Sequence, residues 1–460
     1  MTDNNMAQLA ALSPLDGRYR NDVSALVSYF SEAALFRYRV RVEVEYLIFL
    51  ARSPRVGFVP AFDAAQQAGL RALYRQFSDA DALAISAWDR KVNHDVKAVE
   101  YWLRERLDEL GLGTWKEAIH FALTSEDVNN LTYGMLVRDA RDAVLLPALG
   151  LIETRLRELA LGEAASPMLA RTHGQSATPT TFGKEMNVFL ARLRRAVAEV
   201  SAVKLTGKLN GASGTFAAHV AALPEVDWQT FSAAFVRSLD LDPVLLTTQI
   251  EPHDTLASLC DAIKRANTIL IDLSQDCWRY ISDGYLSQAP KPGEVGSSTM
   301  PHKVNPIDFE NSEGNLGIAI ALLEHFSRKL PISRLQRDLS DSTVLRTVGA
   351  AFGYSLIGYQ RLLRGLSRVA VRREALLADL ADHPEVLAEA VQTILRRVGY
   401  PEPYEALKGL SRGRSMTMED LRIFVGGLDV DDSVKAELLA LSPEAYIGLA
   451  VRLATLLEGR

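Results

Sequence analysis

The sequence contains only two cysteines, Cys260 and Cys277, among 460 residues. Two cysteines are too few for a disulfide framework, and no cluster of cysteine and histidine with metal-site spacing accompanies them. A chain of this size without a disulfide framework is typical of a reducing compartment. We therefore expect a cytoplasmic protein that holds no metal.

The sequence also lacks long apolar runs and an excess of positive charge. No window approaches about 18 unbroken apolar residues, and the start of the chain has no basic segment followed by an apolar core, so we expect neither a membrane span nor a secretory leader. Lys and Arg number 51 against 57 Asp and Glu, and the net charge of −6 gives no support for nucleic-acid binding. With 48% hydrophobic and 23% charged residues, the composition is typical of an ordinary globular protein.

Several catalytic templates are missing as well. The chain has no G-x-x-x-x-G-K-[ST] loop for nucleoside triphosphates, no G-x-G-x-x-G dinucleotide fingerprint and no H-E-x-x-H zinc motif. No series of strands alternating with helices is visible either. The sequence therefore argues against a Rossmann fold or a (β/α) barrel.

A helical period dominates the middle of the chain. Apolar residues recur at intervals of three and four along three stretches: Leu145, Leu149, Ile152, Leu156 and Leu159; Met186, Leu190, Leu193, Val197 and Val200; and Leu256, Leu259, Ile263, Ala266, Leu270 and Leu273. A sustained seven-residue repeat keeps one seam facing partner helices in near-parallel packing. Some of these stretches carry a second apolar face, which needs partners on a second side. We predict an all-α fold with a long central helical bundle that assembles into an oligomer; a buried central helix within a monomer is the alternative.

Turn signals divide the chain into three segments. Residues 1–120 mix short helical patterns with turns, and there Phe36–Leu50 alternates charged and apolar residues as a strand does, although its length and a helical face favour a helix. Residues 121–368 hold the long repeats, and residues 369–460 carry shorter patterns broken by prolines. We predict an N-terminal helical domain, a central long-helix bundle domain and a C-terminal helical domain with these bounds.

One loop-like stretch combines several reactive side chains. It reads Gly296-Ser297-Ser298-Thr299-Met300-Pro301-His302-Lys303-Val304-Asn305-Pro306. A loop of this composition can place a basic or nucleophilic oxygen beside an anion-binding lysine. On composition alone, a solvated connecting loop is the alternative.

This stretch resembles, nearly residue for residue, the signature of the aspartase/fumarase superfamily, whose members release fumarate by elimination. With the following residues 307–311, it looks like the branch that splits adenylosuccinate, in its longer bacterial type. Further blocks that resemble the same branch are Ser13–Tyr19, Asn93–Tyr101, Thr124–Asn130, Arg171–Gln175, Gln336–Asp338 and Ser342–Arg346. The resemblance implies a homotetramer with active sites shared between subunits, a small-molecule nucleotide substrate, no nucleic-acid or membrane partner, and no cofactor.

The resemblance also implies the reaction and its catalytic residues. Adenylosuccinate would yield AMP and fumarate, and the succinyl-carboxamide ribotide of purine biosynthesis would be split in the same way. Such a β-elimination needs a base for a carbon-bound proton, groups that stabilise the carbanion and an acid for the leaving nitrogen. Ser297 matches the general base and His173 the general acid, with Glu310 as the carboxylate that supports this histidine. Lys303 would help to stabilise the serine oxyanion.

The substrate-binding set is carried over residue by residue. Because arginine forks suit phosphate oxygens, the phosphate and nearby groups would be bound by Arg18, Tyr19, Arg337, Ser342, Thr343 and Arg346. The succinyl carboxylates would be bound by Thr124, Ser125, Gln249, Ser298, Lys303 and Asn305, with Asn311 as a further contact; Asn93, His94 and Asp95 would orient the substrate. We expect the remaining histidines to be structural, namely His120, His219, His253, His302, His325 and His383.

Two alternatives stay open. Another fumarate-releasing lyase of the superfamily, such as one acting on argininosuccinate, has a substrate without phosphate and would not need all arginines of the phosphate set. A catalytically silent helical scaffold would be expected to have lost Ser297, His173 or Lys303, and all three are present.

Overall fold

The computed structural model of the protein describes residues 2–289, 300, 303–411 and 416–456, with the side chains of residues 2–5 and 409–411 excepted. Within these residues, none of the helices combines the length and the apolar character needed to cross a lipid bilayer.

The N-terminal part of the chain is helical. Its α-helices are α1 (Thr2–Leu9), α2 (Val27–Phe30), α3 (Glu32–Arg52), α4 (Ala64–Arg75), α5 (Asp79–Val92), α6 (Asp95–Glu109) and α7 (Ser125–Ala140), with short 3-10 helices at Ser24–Leu26 and Gly113–Ala118. Helix α3 confirms the helical interpretation of Phe36–Leu50. Ser31 caps it by accepting the N–H of Ala34 at 3.1 Å, and its buried residues share one core with Leu70, Ile85 and Trp102 of the next helices.

The middle of the chain contains the long helices that the seven-residue repeats predict. After a π-helical segment, Arg141–Leu145, its α-helices are α8 (Leu146–Gly162), α9 (Phe182–Ala202), α10 (Ala217–Ala222), α11 (Trp228–Ser238), α12 (Asp254–Ser282), α13 (Ile307–Lys329), α14 (Ser340–Leu345) and α15 (Val348–Arg368). The first stretch of apolar repeats begins at Leu145, the last residue of the π-helical segment, and continues through α8. The other two stretches fall in α9 and α12, and nearly all residues of the three are buried. Cys260 and Cys277 are buried free thiols on α12.

The C-terminal part consists of shorter helices. They are α16 (Arg373–Ala381), α17 (Ala388–Arg397), α18 (Pro403–Ser411), α19 (Met418–Gly426), α20 (Asp432–Leu439) and α21 (Ala450–Ala454), with a 3-10 helix at Pro384–Leu387. They pack around a small core that includes Leu380, Val391, Leu421 and Leu438, together with Leu169 from the middle of the chain. The predicted short helices in this part are confirmed.

Short strands interrupt the helices. Strands β1 (Pro167–Thr172) and β2 (Gln175–Thr181) form an antiparallel hairpin, β3 (Thr206–Gly207) pairs in parallel with β4 (Asp242–Pro243), and β5 (Leu286–Gln288) pairs antiparallel with β6 (Val369–Val371). The sequence pattern did not predict these strands. Strands β3 to β6 have only two or three residues, and β1 (PMLART) and β2 (QSATPTT) show no alternation of apolar and polar residues. The hairpin is closed by a two-residue turn.

The contacts divide the chain into two compact units that are discontinuous in sequence. The first unit comprises residues 1–149, 196–268 and 314–358, and the second comprises residues 150–195, 269–313 and 359–460. Long helices such as α9 and α12 contribute residues to each unit. The two units are therefore made of separate stretches of the chain, whereas the predicted domains are three consecutive segments. The segments 1–120, 121–368 and 369–460 stay a prediction.

Candidate active site

The first unit contains a cleft of about 620 Å³ that is lined mainly by polar side chains. Ten of the predicted substrate-binding residues line it: Asn93, His94, Asp95, Thr124, Ser125, Gln249, Arg337, Ser342, Thr343 and Arg346. They come from parts of the sequence up to about 250 residues apart. The fold therefore brings together blocks that the sequence shows only as separate motifs.

Two helix N-termini supply part of the lining. His94 is the residue before α6, and its Nδ1 accepts the N–H of Lys97 at 3.1 Å, which leaves Nε2 available for another partner. Asn93 has the left-handed backbone (φ 53°) that ends α5 and turns the chain into α6. Thr124 is the residue before α7, with an extended backbone, and Ser125 is the first residue of that helix. The helix dipole makes such N-termini suitable for anions.

Arginines on one side of the cleft are linked by Asp95. Arg39 donates to the Oδ2 of Asp95 at 2.7 Å, and Arg346 donates to the same oxygen at 2.9 Å. Arg346 also donates to both carboxylate oxygens of Glu32, at 3.1 and 3.0 Å. Burial opposes ionisation of Asp95, but Arg39 and Arg346 outweigh it and lower the pKa of Asp95. Asp95 therefore orients two arginines rather than standing free for a ligand.

Sequence reasoning missed Arg39. It lies on the buried face of α3, only 2% exposed, and its Nε donates to Asn129 at 2.9 Å. In the sequence it is one of several charges that alternate with apolar residues, so only its burial in the folded chain distinguishes it.

Arg337 lies at another part of the cleft wall. Its Nη1 is 3.1 Å from Glu126 Oε2 and 4.0 Å from Asp341 Oδ2, and its Nη2 donates to Ser342 Oγ at 3.4 Å. Burial raises the pKa of Glu126 to about 7, although nearby His253 and Arg337 act in the opposite direction. The acids Glu126 and Asp341 therefore orient the guanidinium of Arg337.

The succinate-binding candidates in the cleft are also fixed by the surrounding chain. Gln249 donates its Nε2–H to the carbonyl of Ala212 at 2.8 Å. The N–H of Thr124 donates to Asp127 Oδ2 at 2.9 Å, and Asp127 is itself paired with Lys208 at 2.9 Å, with both side chains fully buried. A rigid support of this kind preorganises polar groups for a ligand.

Two predicted residues of the first unit do not line this cleft. Arg18 lines a separate surface cavity with Gln8, Pro14 and Asn21. Tyr19 is half-buried beside it in the chain. The fold of the first unit does not bring these two into the group of cleft residues, and their role in binding stays a prediction.

Other predicted residues belong to the second unit. His173 is exposed in the turn between β1 and β2, with a left-handed backbone (φ 54°) followed by Gly174 (φ 74°). Glu310, in the first turn of α13, accepts the indole N–H of Trp278 at 3.1 Å. Lys303 is exposed, and Asn305 and Asn311 are half-buried. Ser297, Ser298 and His302 lie outside the described residues.

Comparisons with known proteins agree with the motifs. A family model described as "Lyase" matches residues 17–320, and one described as "Adenylosuccinate lyase C-terminal" matches residues 333–447. The chain is 49% identical over 447 residues to adenylosuccinate lyase of Escherichia coli (strain K12), which covers 97% of this chain and 98% of that protein. It is 48% identical over 450 residues to adenylosuccinate lyase of Vibrio cholerae serotype O1, with 97% and 99% covered.

The fold resembles that of solved lyases. The crystal structure of fumarate lyase from Mesorhizobium sp. BNC1 superimposes with a TM-score of 0.76 at 20% identity and covers 95% of this chain and 98% of that one. At this level of identity the likeness concerns the fold alone.

Proposed function

We propose that this chain, which belongs to the adenylosuccinate lyase family, eliminates fumarate from adenylosuccinate and leaves AMP. By the same chemistry it would split the succinyl-carboxamide ribotide of purine biosynthesis. The observation that carries the proposal is the cleft of the first unit, where arginines, hydroxyls and two helix N-termini converge. A substrate with a phosphate at one end and two carboxylates at the other fits such a lining.

The phosphate would bind to Arg337 and Arg346, with Ser342 and Thr343 as hydroxyl donors. Both guanidinium groups are already oriented by buried or half-buried acids, so little side-chain freedom is lost on binding. Arginine forks form charge-assisted hydrogen bonds to phosphate oxygens. This end of the cleft favours a nucleotide over argininosuccinate, which carries no phosphate.

The succinyl carboxylates would bind to Thr124, Ser125 and Gln249, close to the N-terminus of α7. Because the carbanion formed in the reaction spreads its charge into a carboxylate, a helix N-terminus at that carboxylate stabilises the transition state. Ser298, Lys303, Asn305 and Asn311 would complete the carboxylate contacts, and His94 and Asn93 would orient the substrate. Asp95 would act through Arg39 and Arg346.

The proposed elimination breaks one C–H and one C–N bond of the substrate and forms one C=C bond. The Ser297 oxyanion removes the proton from the carbon next to the one that bears nitrogen, and the released electron pair forms the double bond of fumarate. The C–N bond breaks, and His173 gives its proton to the leaving nitrogen. The anion-binding groups at the substrate carboxylate stabilise the charge between these steps.

A direct assay tests the reaction. The purified protein is mixed with adenylosuccinate, argininosuccinate and malate in separate reactions, and ultraviolet absorbance is recorded together with fumarate release. We expect turnover of adenylosuccinate alone. Turnover of argininosuccinate would favour the other lyase, and no turnover of any of the three would favour the silent scaffold.

We further propose a homotetramer whose active sites combine residues of different subunits, as the superfamily resemblance implies. On α9 the 39% exposed Val188 suits such packing, whereas Phe189 and Ile269 of the second apolar faces are already buried within the chain. Residence in the cytoplasm is part of the same proposal.

Mixing two inactive variants tests the shared site. If His173 and Ser297 of one site come from different subunits, His173→Ala and Ser297→Ala proteins, reassembled 1:1, regain both residues in about one quarter of the sites. If both come from one chain, no site is restored. Activity that stays at the level of the single variants, despite confirmed subunit exchange, would contradict the shared site.

A further inference from the structure

Three buried titratable side chains meet at the wall of the cleft, and one of them, Glu126, is among its lining residues. Glu126 belongs to α7, His253 precedes α12, and Asp341 belongs to α14. Each is at most 3% exposed, and their ligand atoms lie within 4.8 Å of one another. Sequence reasoning predicted only a structural role for His253, because no neighbouring residue along the chain indicates that Glu126 and Asp341 lie near it.

One polar atom of each side chain points into this cluster without a hydrogen-bond partner among the described residues, namely Glu126 Oε1, His253 Nε2 and Asp341 Oδ2. The distance from His253 Nε2 to Asp341 Oδ2 is 3.7 Å. On the other side of the ring, Nδ1 lies 3.4 Å from Glu251 Oε2. The imidazole is therefore placed between two carboxylates, with a third close by.

Arg337 closes the cluster on the side of the cleft. It is 3.1 Å from Glu126 and 4.0 Å from Asp341. Counting formal charges, the carboxylates of Glu126, Asp341 and Glu251 face Arg337 and His253, and the buried Lys208 acts on Glu126 from further away. If His253 were neutral, the buried acids would be balanced mainly by the positive charge of Arg337. Uncompensated buried charge is costly.

We propose that His253 is a positioning residue: as an imidazolium it balances Asp341 and Glu126, and so leaves the guanidinium of Arg337 free to share its charge with the substrate phosphate. The proposal rests on the assignment of the phosphate to Arg337. Without the charge of His253, the two acids would hold Arg337 more strongly and compete with the phosphate for it. The phosphate would also lose a nearby positive charge. Both effects weaken phosphate binding.

The electrostatics of the cluster agree with a charged ring at neutral pH. Burial disfavours the imidazolium, yet the carboxylates of Asp341 and Glu251 on the two sides of the ring outweigh it and raise the pKa of His253 to about 9. A divalent metal ion on the same three atoms would require a neutral imidazole, and it would lie close to the cation of Arg337. The geometry therefore favours a proton over a metal ion at this position.

The test measures the binding of AMP, which contains the phosphate, beside adenosine, which does not. In His253→Gln, calorimetry at pH 7.5 should give an AMP affinity lower by about tenfold, within the range for residues coupled in one ion-pair network, and an unchanged adenosine affinity. Turnover should show a raised KM with a smaller change in kcat. The double variant Asp341→Asn/His253→Gln removes one negative charge with the positive one and should recover most of the AMP affinity.

The matched control is His219→Phe. His219 is another buried histidine whose ring nitrogens have no hydrogen-bond partner among the described residues, and its ring packs at 4.8 Å against Trp228, outside the cleft lining. This variant should bind AMP as the parent does. The parent should also lose AMP affinity as the pH rises through about 9, whereas His253→Gln should be insensitive there.

Three results would overturn the proposal. Unchanged AMP affinity in His253→Gln would remove His253 from phosphate binding, and an equal loss for AMP and adenosine would make its role structural. Parent protein that loses AMP affinity on chelation and regains it with Zn²⁺ or Mg²⁺ would replace the imidazolium with a metal site. Because binding is measured apart from turnover, failure to split adenylosuccinate would contradict the proposed reaction and not this inference.

Discussion

The buried pair of Lys208 and Asp127 gives a sharp prediction about the support of the cleft. Both side chains are 0% exposed, and Lys208 Nζ lies 2.9 Å from Asp127 Oδ1. Asp127 also accepts the N–H groups of Thr124, Asn210 and Gly211 at 2.9, 3.0 and 3.1 Å. This carboxylate therefore ties the start of α7, which lines the cleft, to the segment around residue 210.

The substitution Lys208→Met keeps the length of the side chain and removes its charge. Breaking a buried ion pair by removing one partner costs about 3–5 kcal/mol. Since three backbone N–H groups still stabilise the carboxylate, we expect a loss near the lower end, ~3 kcal/mol in the free energy of unfolding. The double variant Asp127→Asn/Lys208→Met removes the stranded charge and should recover at least about 1 kcal/mol, although an amide cannot accept all of the backbone hydrogen bonds.

Urea unfolding followed by helical circular dichroism measures the change, at one protein concentration because assembly contributes to stability. The matched control is Lys264→Met, which breaks a surface ion pair with Asp261 of similar length, 2.8 Å, where the lysine side chain is 31% exposed. It should cost less than about 1 kcal/mol. A Lys208→Met protein as stable as the Lys264→Met control, or a double variant that loses the sum of its two single changes, would refute the reasoning.

Three further predictions concern the catalytic residues and the pH dependence. His173→Ala and Ser297→Ala should each lower kcat by roughly 10²–10⁴-fold with an unchanged circular dichroism spectrum; near-normal turnover would remove that residue from the mechanism. Lys303→Met should raise KM and lower kcat together, because a cation at a carboxylate acts in the ground state and the transition state; a change in stability alone would make Lys303 structural. The raised pKa of His253, about 9 against an ordinary value near 6.5, adds stability that is complete below pH 6.5 and is lost as the pH rises through 9. The parent should therefore lose more of its melting temperature between pH 6.5 and 9.5 than His253→Gln does, and equal losses would contradict the assignment.

The long helices could be predicted because their apolar residues follow one period over many turns. Leu149, Ile152 and Leu156 are buried on α8, as a seam of threes and fours requires. Such a pattern is visible in the sequence without knowledge of what the helix packs against. The β1–β2 hairpin could not be predicted in the same way, since its conformation depends on two residues with positive φ, His173 and Gly174, and the non-glycine residue gives no signal for that backbone.

Of the residues that line the cleft, only those within recognisable motifs could be predicted from the sequence. Ser342 and Arg346 belong to a recognisable block, and both line the cleft. Arg39 and His253 are charged or titratable residues whose importance follows from burial beside acids far away in the sequence, such as Asp95 and Asp341. Tertiary packing determines that burial, so no local sequence pattern predicts it. Arg18 shows the reverse case, because it belongs to a block but lines a separate cavity.

A crystal structure of the Ser297→Ala variant with adenylosuccinate tests the central claim most directly. The account predicts the nucleotide in the cleft of the first unit, with its phosphate within hydrogen-bonding distance of Arg337, Ser342 and Arg346 and its succinyl carboxylates near Thr124, Ser125 and Gln249. A nucleotide bound elsewhere, with these arginines still paired only to their acids, would contradict it.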